Sequence, residues 1–339
     1  MIPPEGVGPD PETDSDPPVA AARPGASTFT IEGRQAPALY VIGWLATILG
    51  LGAVTVGILS GSSPAAPILL VAGLAVLSIG LIAGAGSQGI ERRARGATAY
   101  HGPSPVIVFA ASVPISLLAV IVLGIPMTLV GIAVDGPLGR LASVIVQALV
   151  YVAIIRLLVV DTGALTWAAM GLRRPDRRAL GEFLGGALWA APVILITIPV
   201  AAILGTIFPV TPVSPLPPAG ESVGFALNLL AGAVVAPIGE ELLFRGFATT
   251  AWARDLGSRR ALVRGALFFA IVHVLTISGT SAGEAAGLAI IGFASRIPVA
   301  LALGWLFLRR GSIWAPLGLH ATFNAILLVI GEAALRSGV

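Results

Sequence analysis

The chain has 339 residues, of which 56% are hydrophobic and 11% charged, and its mean hydropathy is +0.95. Soluble domains carry about 25% charged residues, so a soluble enzyme is excluded and a multi-pass membrane protein is implied. A net charge of +3 is too small and too dispersed for nucleic-acid binding, and the absence of cysteine removes disulfides, thiolate metal sites and a cysteine nucleophile.

Residues 1–36 are rich in Pro, Gly, Asp and Glu and cannot bury enough apolar surface to fold, so they read as a disordered acidic tail. The tail lacks the basic start and apolar core of a signal peptide. Nine apolar stretches follow, at 37–60, 66–86, 104–132, 139–161, 183–207, 224–251, 260–277, 286–308 and 312–334. Each approaches the ~20 residues that a bilayer-crossing helix needs. The third contains Pro114 and Pro126, where a kink or a break is expected. The fold class is therefore all-α: a transmembrane helical bundle of about nine spans. It divides into a region of unassigned role at 37–180 and a chemistry-bearing region at 183–334. Gly80 with Gly84, and Gly181 with Gly185, have the small-xxx-small spacing of close helix contacts.

Arginine placement orients the bundle. If the N-terminus is cytoplasmic, fifteen of the twenty arginines fall on the inner side of this nine-span reading and only Arg140 and Arg336 on the outer side. Arg156, Arg245 and Arg296 fall within spans. This asymmetry follows the positive-inside rule. It predicts a cell-membrane protein with a cytoplasmic N-terminus and an extracytoplasmic C-terminus.

An ionisable side chain in a bilayer costs roughly 2.5–3.5 kcal/mol and marks a polar interior site by default. Three apolar segments carry such groups: Glu240, Glu241 and Arg245 in the sixth, His273 in the seventh, and His320 with Asn324 in the ninth. Glu241 and Arg245 are four apart, so they share a helix face and can pair. Glu240 is rotated about 100° away, free to point at another helix as a general base. Phe269 and His273 are likewise four apart, as are His320 and Asn324, whose imidazole and carboxamide could together donate to an oxyanion. Counted from the nearest cytoplasmic arginines, Glu240, His273 and His320 all lie roughly 15–20 Å deep, as one shared cavity requires. Any one of these features alone reads equally as packing glue between helices. An adjacent second glutamate does not, because it adds an uncompensated cost.

Other motifs carry less. GTSAG at 279–283 matches a serine-nucleophile pattern but lacks the strand-turn-helix context that the pattern needs. No H-E-x-x-H zinc helix and no pair of aspartates within the spans is present.

EELLFR (240–245), FAIVH (269–273) and HATFN (320–324), in this order, resemble the E-E-x-x-x-R, F-x-x-x-H and H-x-x-x-N motifs of the CPBP intramembrane proteases. This is the CAAX-protease and bacteriocin-processing family, related to the type II CAAX prenyl endopeptidases. The resemblance covers about residues 183–334. It implies that Glu240 and His273 activate a water, that His320 and Asn324 stabilise the oxyanion, and that Glu241 and Arg245 orient the site. It also implies a membrane protein or peptide as substrate within the lipid bilayer. Glu240, His273 and His320 read either as a zinc set or as metal-free water activation, and the metal-free route is the expectation. Two other functions remain: a non-enzymatic scaffold or bacteriocin self-immunity protein, and a transporter using Glu240 and His273 as a relay. Paired glutamates speak against the first. The apolar first five spans, in which Arg156 alone is an internal charge, speak against the second.

Overall fold

A computed structural model describes residues 31–96, 98–210 and 216–338. Most of the acidic tail lies outside the described residues, and residues 31–36 lead into the first helix. Among the described residues there is no strand. The helices are α1 (Pro37–Leu59), α2 (Ala66–Arg95), α3 (Pro105–Leu129), α4 (Pro137–Ile155), α5 (Arg177–Ala187), α6 (Ala190–Ile207), α7 (Ser222–Leu229), α8 (Ala236–Glu240), α9 (Thr250–Leu256), α10 (Ser258–Val272), α11 (Ala282–Arg310) and α12 (Trp314–Ser337). Three π-helical segments interrupt them: Arg156–Val160 after α4, and Leu230–Val235 and Glu241–Thr249 on either side of α8. Counting Arg177–Ile207 and Ser222–Leu256 as one span each, eight helices are long and apolar enough to cross a membrane. The chain is a multi-pass membrane protein.

The seventh apolar stretch is the one that forms no such helix. Its helix, α10, has only 15 residues, roughly 22 Å at 1.5 Å per residue. Residues 274–277, which lengthen the stretch in the sequence, lie in a turn that ends at residue 276 and in the irregular chain after it. The fifth span is two helices, broken at Leu188 and Trp189. The third is a single helix that carries both prolines within it.

Small residues set the close approaches. α1 and α2 form a hairpin in which a Cβ on Gly50 would strike the Leu77 backbone and one on Gly80 the Thr47 backbone. Gly84 meets Gly43 in the same seam, whereas Gly181 and Gly185 face open space. The contact that matters for the site lies one residue further along. A Cβ on Gly186 would strike the Ala315 carbonyl, and one on Gly318 the Phe183 carbonyl, so α5 and α12 meet backbone to backbone. This sets the height of His320, two residues beyond Gly318. The main core lies where α10 meets the π-helical segment Glu241–Thr249, with Phe244, Phe247 and Phe269 buried beside Ile155 and Met170.

Candidate functional site

Glu240 closes α8, and Glu241 opens the π-helical segment Glu241–Thr249. Such segments are rare and concentrate at functional sites. Here the residues expected to be α-helical are π-helical, yet Arg245 still reaches back to Glu241, with Nη1 3.0 Å from Oε1. Both side chains are buried, at 2% and 0% exposure. The Arg245 guanidinium also stacks 4.2 Å from the centre of the Phe269 ring, so the cation is held by a carboxylate on one side and a π face on the other.

Glu241 has a second partner. His320 Nδ1 lies 2.7 Å from the same Oε1 that accepts from Arg245. The imidazole therefore donates from Nδ1 to a carboxylate, which leaves Nε2 to face elsewhere. It faces Glu240, whose Oε2 is 3.7 Å away. His273 mirrors this arrangement. Its Nδ1 lies 2.6 Å from the Phe269 carbonyl one turn back, and a carbonyl can only accept, so Nδ1 carries the proton. Its Nε2 then faces Glu240 Oε2 at 3.5 Å. One carboxylate oxygen thus stands between two imidazole nitrogens whose tautomers are fixed from behind.

Glu240 itself is 18% exposed and has no hydrogen-bond partner at Oε2. It opens into a cavity of about 430 Å³ together with His273, His320 and Asn324. Glu241 and Arg245 lie behind that wall. The two glutamates therefore do point different ways, as their positions on the helix predict.

Asn324 Nδ2 donates to the Gly232 carbonyl in the first π-helical segment after α7 at 2.8 Å, so one of its two N–H groups is engaged and one remains. Nothing in the local sequence pattern announces this bond.

The cavity wall also holds residues that the motifs do not contain. Val144 and Gln147 come from α4, Thr197 from α6, and Ser295 and Arg296 from α11. Thr197 Oγ1 is buried without a partner. Of these, Arg296 alone carries a signal in the sequence, a charge in an apolar stretch. Helix α4 belongs to the region of unassigned role, and it reaches the site because Gly239 lies against Ala148, which a Cβ there would meet at 3.0 Å. Ser281 of GTSAG caps α11, its Oγ accepting from Glu284 N at 3.2 Å.

Residues 222–326 match a family model described as type II CAAX prenyl endopeptidase Rce1-like. That is the family which the three motifs resemble, and the matched region contains all seven motif residues. No curated protein and no solved structure matches the chain.

Proposed function

We propose that this chain, which carries a type II CAAX prenyl endopeptidase Rce1-like domain over residues 222–326, hydrolyses a peptide bond of a membrane-embedded protein or peptide by metal-free water activation. The observation that carries this reading is the meeting of Glu240 Oε2 with the Nε2 atoms of both histidines at 3.5 and 3.7 Å. A water lodged between Glu240 and His273 loses a proton to the carboxylate as its oxygen attacks the scissile carbonyl. The negative charge that develops on that carbonyl oxygen is met by the free N–H of Asn324 and by His320 Nε2, which donates when the ring carries both protons. The carboxylate of Glu241 behind Nδ1 supports that form of the ring, the role an aspartate plays behind histidine in a catalytic triad. The captured proton passes to the leaving amine as the C–N bond breaks, and the products are a carboxylic acid and an amine.

Among the described residues no group of three or more His, Asp or Glu side chains is arranged to hold a metal ion, and none of these steps is routed through one. Membranes containing the active chain should yield new peptide termini that are absent from membranes without it. Those termini should keep forming in a strong chelator. If no chain-dependent termini form, the protease reading fails. If chelation stops their formation and zinc restores it, a metal-dependent route replaces direct activation of water by Glu240 and His273.

The orientation follows from the same reading. The arginines at 254–264 and at 309–310 flank one cytoplasmic level, and α10 with the irregular stretch 273–281 completes a ninth crossing between them. A reporter after Val339 should be active outside the cytoplasm, and one near Asp176 inside. A cytoplasmic signal from the Val339 fusion would show that α10 does not cross.

A further inference from the structure

Arg296 sits at the middle of the longest helix in the catalytic half. Helix α11 has 29 residues, and Arg296 is fourteen from Ala282 and fourteen from Arg310, roughly 21 Å from either end at 1.5 Å per residue. Long cationic side chains near helix ends reach the headgroups; from this position the guanidinium cannot. A cation so placed pairs with an anion or lines a functional cavity.

Among the described residues, Arg296 forms no ion pair; the one carboxylate whose charge reaches it is Glu240, across the shared cavity. Its hydrogen bond runs from Nη1 to the Gly292 carbonyl one turn back, at 2.8 Å. The described carboxylates on the elements packed around α11 are engaged elsewhere. Glu241 holds Arg245 and His320, Glu332 holds Arg336, and Glu284 accepts from Thr280. Glu240 faces the two imidazoles. Yet Arg296 lines the same cavity as Glu240, His273 and His320. The cavity therefore presents a carboxylate and two imidazoles, and beside them a guanidinium with most of its N–H groups unspent.

We propose that Arg296 binds a carboxylate of the substrate, fixing where along the chain the scissile bond meets Glu240. This rests on the peptidase reading and names the chemistry that its substrate brings. A guanidinium offers a planar fork that a carboxylate meets with two parallel hydrogen bonds, and a substrate that carries the anion in completes a pair which the protein alone leaves open. The carboxylate has two sources, the C-terminus of the substrate or an acidic side chain near the cleaved bond. Arg296 is a specificity residue and takes no part in activating the water.

Binding without turnover tests this. The probe is a labelled apolar peptide of about 20 residues, prepared with a free C-terminus, with a C-terminal amide, and as an amide with one internal glutamate. Its affinity is measured for the full-length His273→Gln chain in lipid nanodiscs, which keeps Glu240 in the cavity, with and without Arg296→Gln or Arg296→Lys. One of the two carboxylate forms should bind about tenfold tighter than the neutral amide, and whichever does identifies the source. Arg296→Gln should erase that preference, while Arg296→Lys should keep part of it at an unchanged melting temperature. Equal binding of all three peptides, or a preference that survives Arg296→Gln, overturns the proposal. A wild-type chain that shows the preference but cleaves nothing would refute the peptidase reading and leave the carboxylate site standing.

Discussion

Glu240→Ala should reduce hydrolysis of any substrate of the wild-type chain to background, with protein level and melting temperature nearly unchanged. A positioned general base contributes about 10²–10⁴-fold to rate, and in the proposed mechanism the same carboxylate also holds the water, so little activity should survive its loss. Stability should hardly change. Glu240 Oε2 is buried with no hydrogen-bond partner, and its side chain borders the cavity at 18% exposure. That oxygen makes no close hydrogen bond, and its imidazole neighbours stand 3.5 and 3.7 Å away, so its loss should cost the fold little. The Glu241–Arg245 and Glu241–His320 contacts do not involve Glu240 and persist. Turnover on a verified substrate and thermal melting of the purified protein check both halves. Wild-type turnover by Glu240→Ala would end the assignment of Glu240 as base. Lost turnover together with a collapsed melting temperature would make Glu240 a structural residue instead.

This division between the two glutamates is legible in the sequence because it depends only on neighbouring positions along one helix and on the cost of charge in an apolar segment. The convergence of Glu240, His273 and His320 is legible for the same reason: equal depth follows from counting residues to the flanking arginines. What hydropathy cannot register is where backbone geometry changes within an apolar run. The residues 274–277 are as apolar as any helix interior, yet α10 stops at Val272 and His273 turns its ring onto the Phe269 carbonyl. The π-helical segments at 230–235 and 241–249 leave no compositional trace, although one of them supplies the carbonyl that holds Asn324. Gln147 is invisible because a single amide in α4 carries no periodic signal; packing between distant segments, such as Gly239 on Ala148, brings that helix to the cavity. Spacing alone pairs His320 with Asn324 as an oxyanion donor. Its tie to Glu241 is a contact between residues 79 apart in sequence, which no local pattern encodes.

Arg245→Ala should destabilise the folded protein by about 3–5 kcal/mol, the usual cost of removing one partner from a buried ion pair. No discount for solvent screening applies, because Arg245 and Glu241 are 2% and 0% exposed. The variant leaves the Glu241 carboxylate buried with His320 Nδ1 as its only hydrogen-bonding side chain. It also strips the cation from the face of Phe269, the residue whose carbonyl fixes the tautomer of His273. One substitution thus loosens the support behind both imidazoles. Activity should fall together with the melting temperature, in contrast to Glu240→Ala, where activity alone falls. Glu241→Gln should behave like Arg245→Ala, since a neutral amide pairs weakly with the guanidinium. Thermal melting in detergent, read beside residual turnover, distinguishes the two classes. An Arg245→Ala protein that purifies with the wild-type melting temperature would show that the pair does not hold the helix. Phe269 and the π-helical backbone would then have to position His273 and His320 without it.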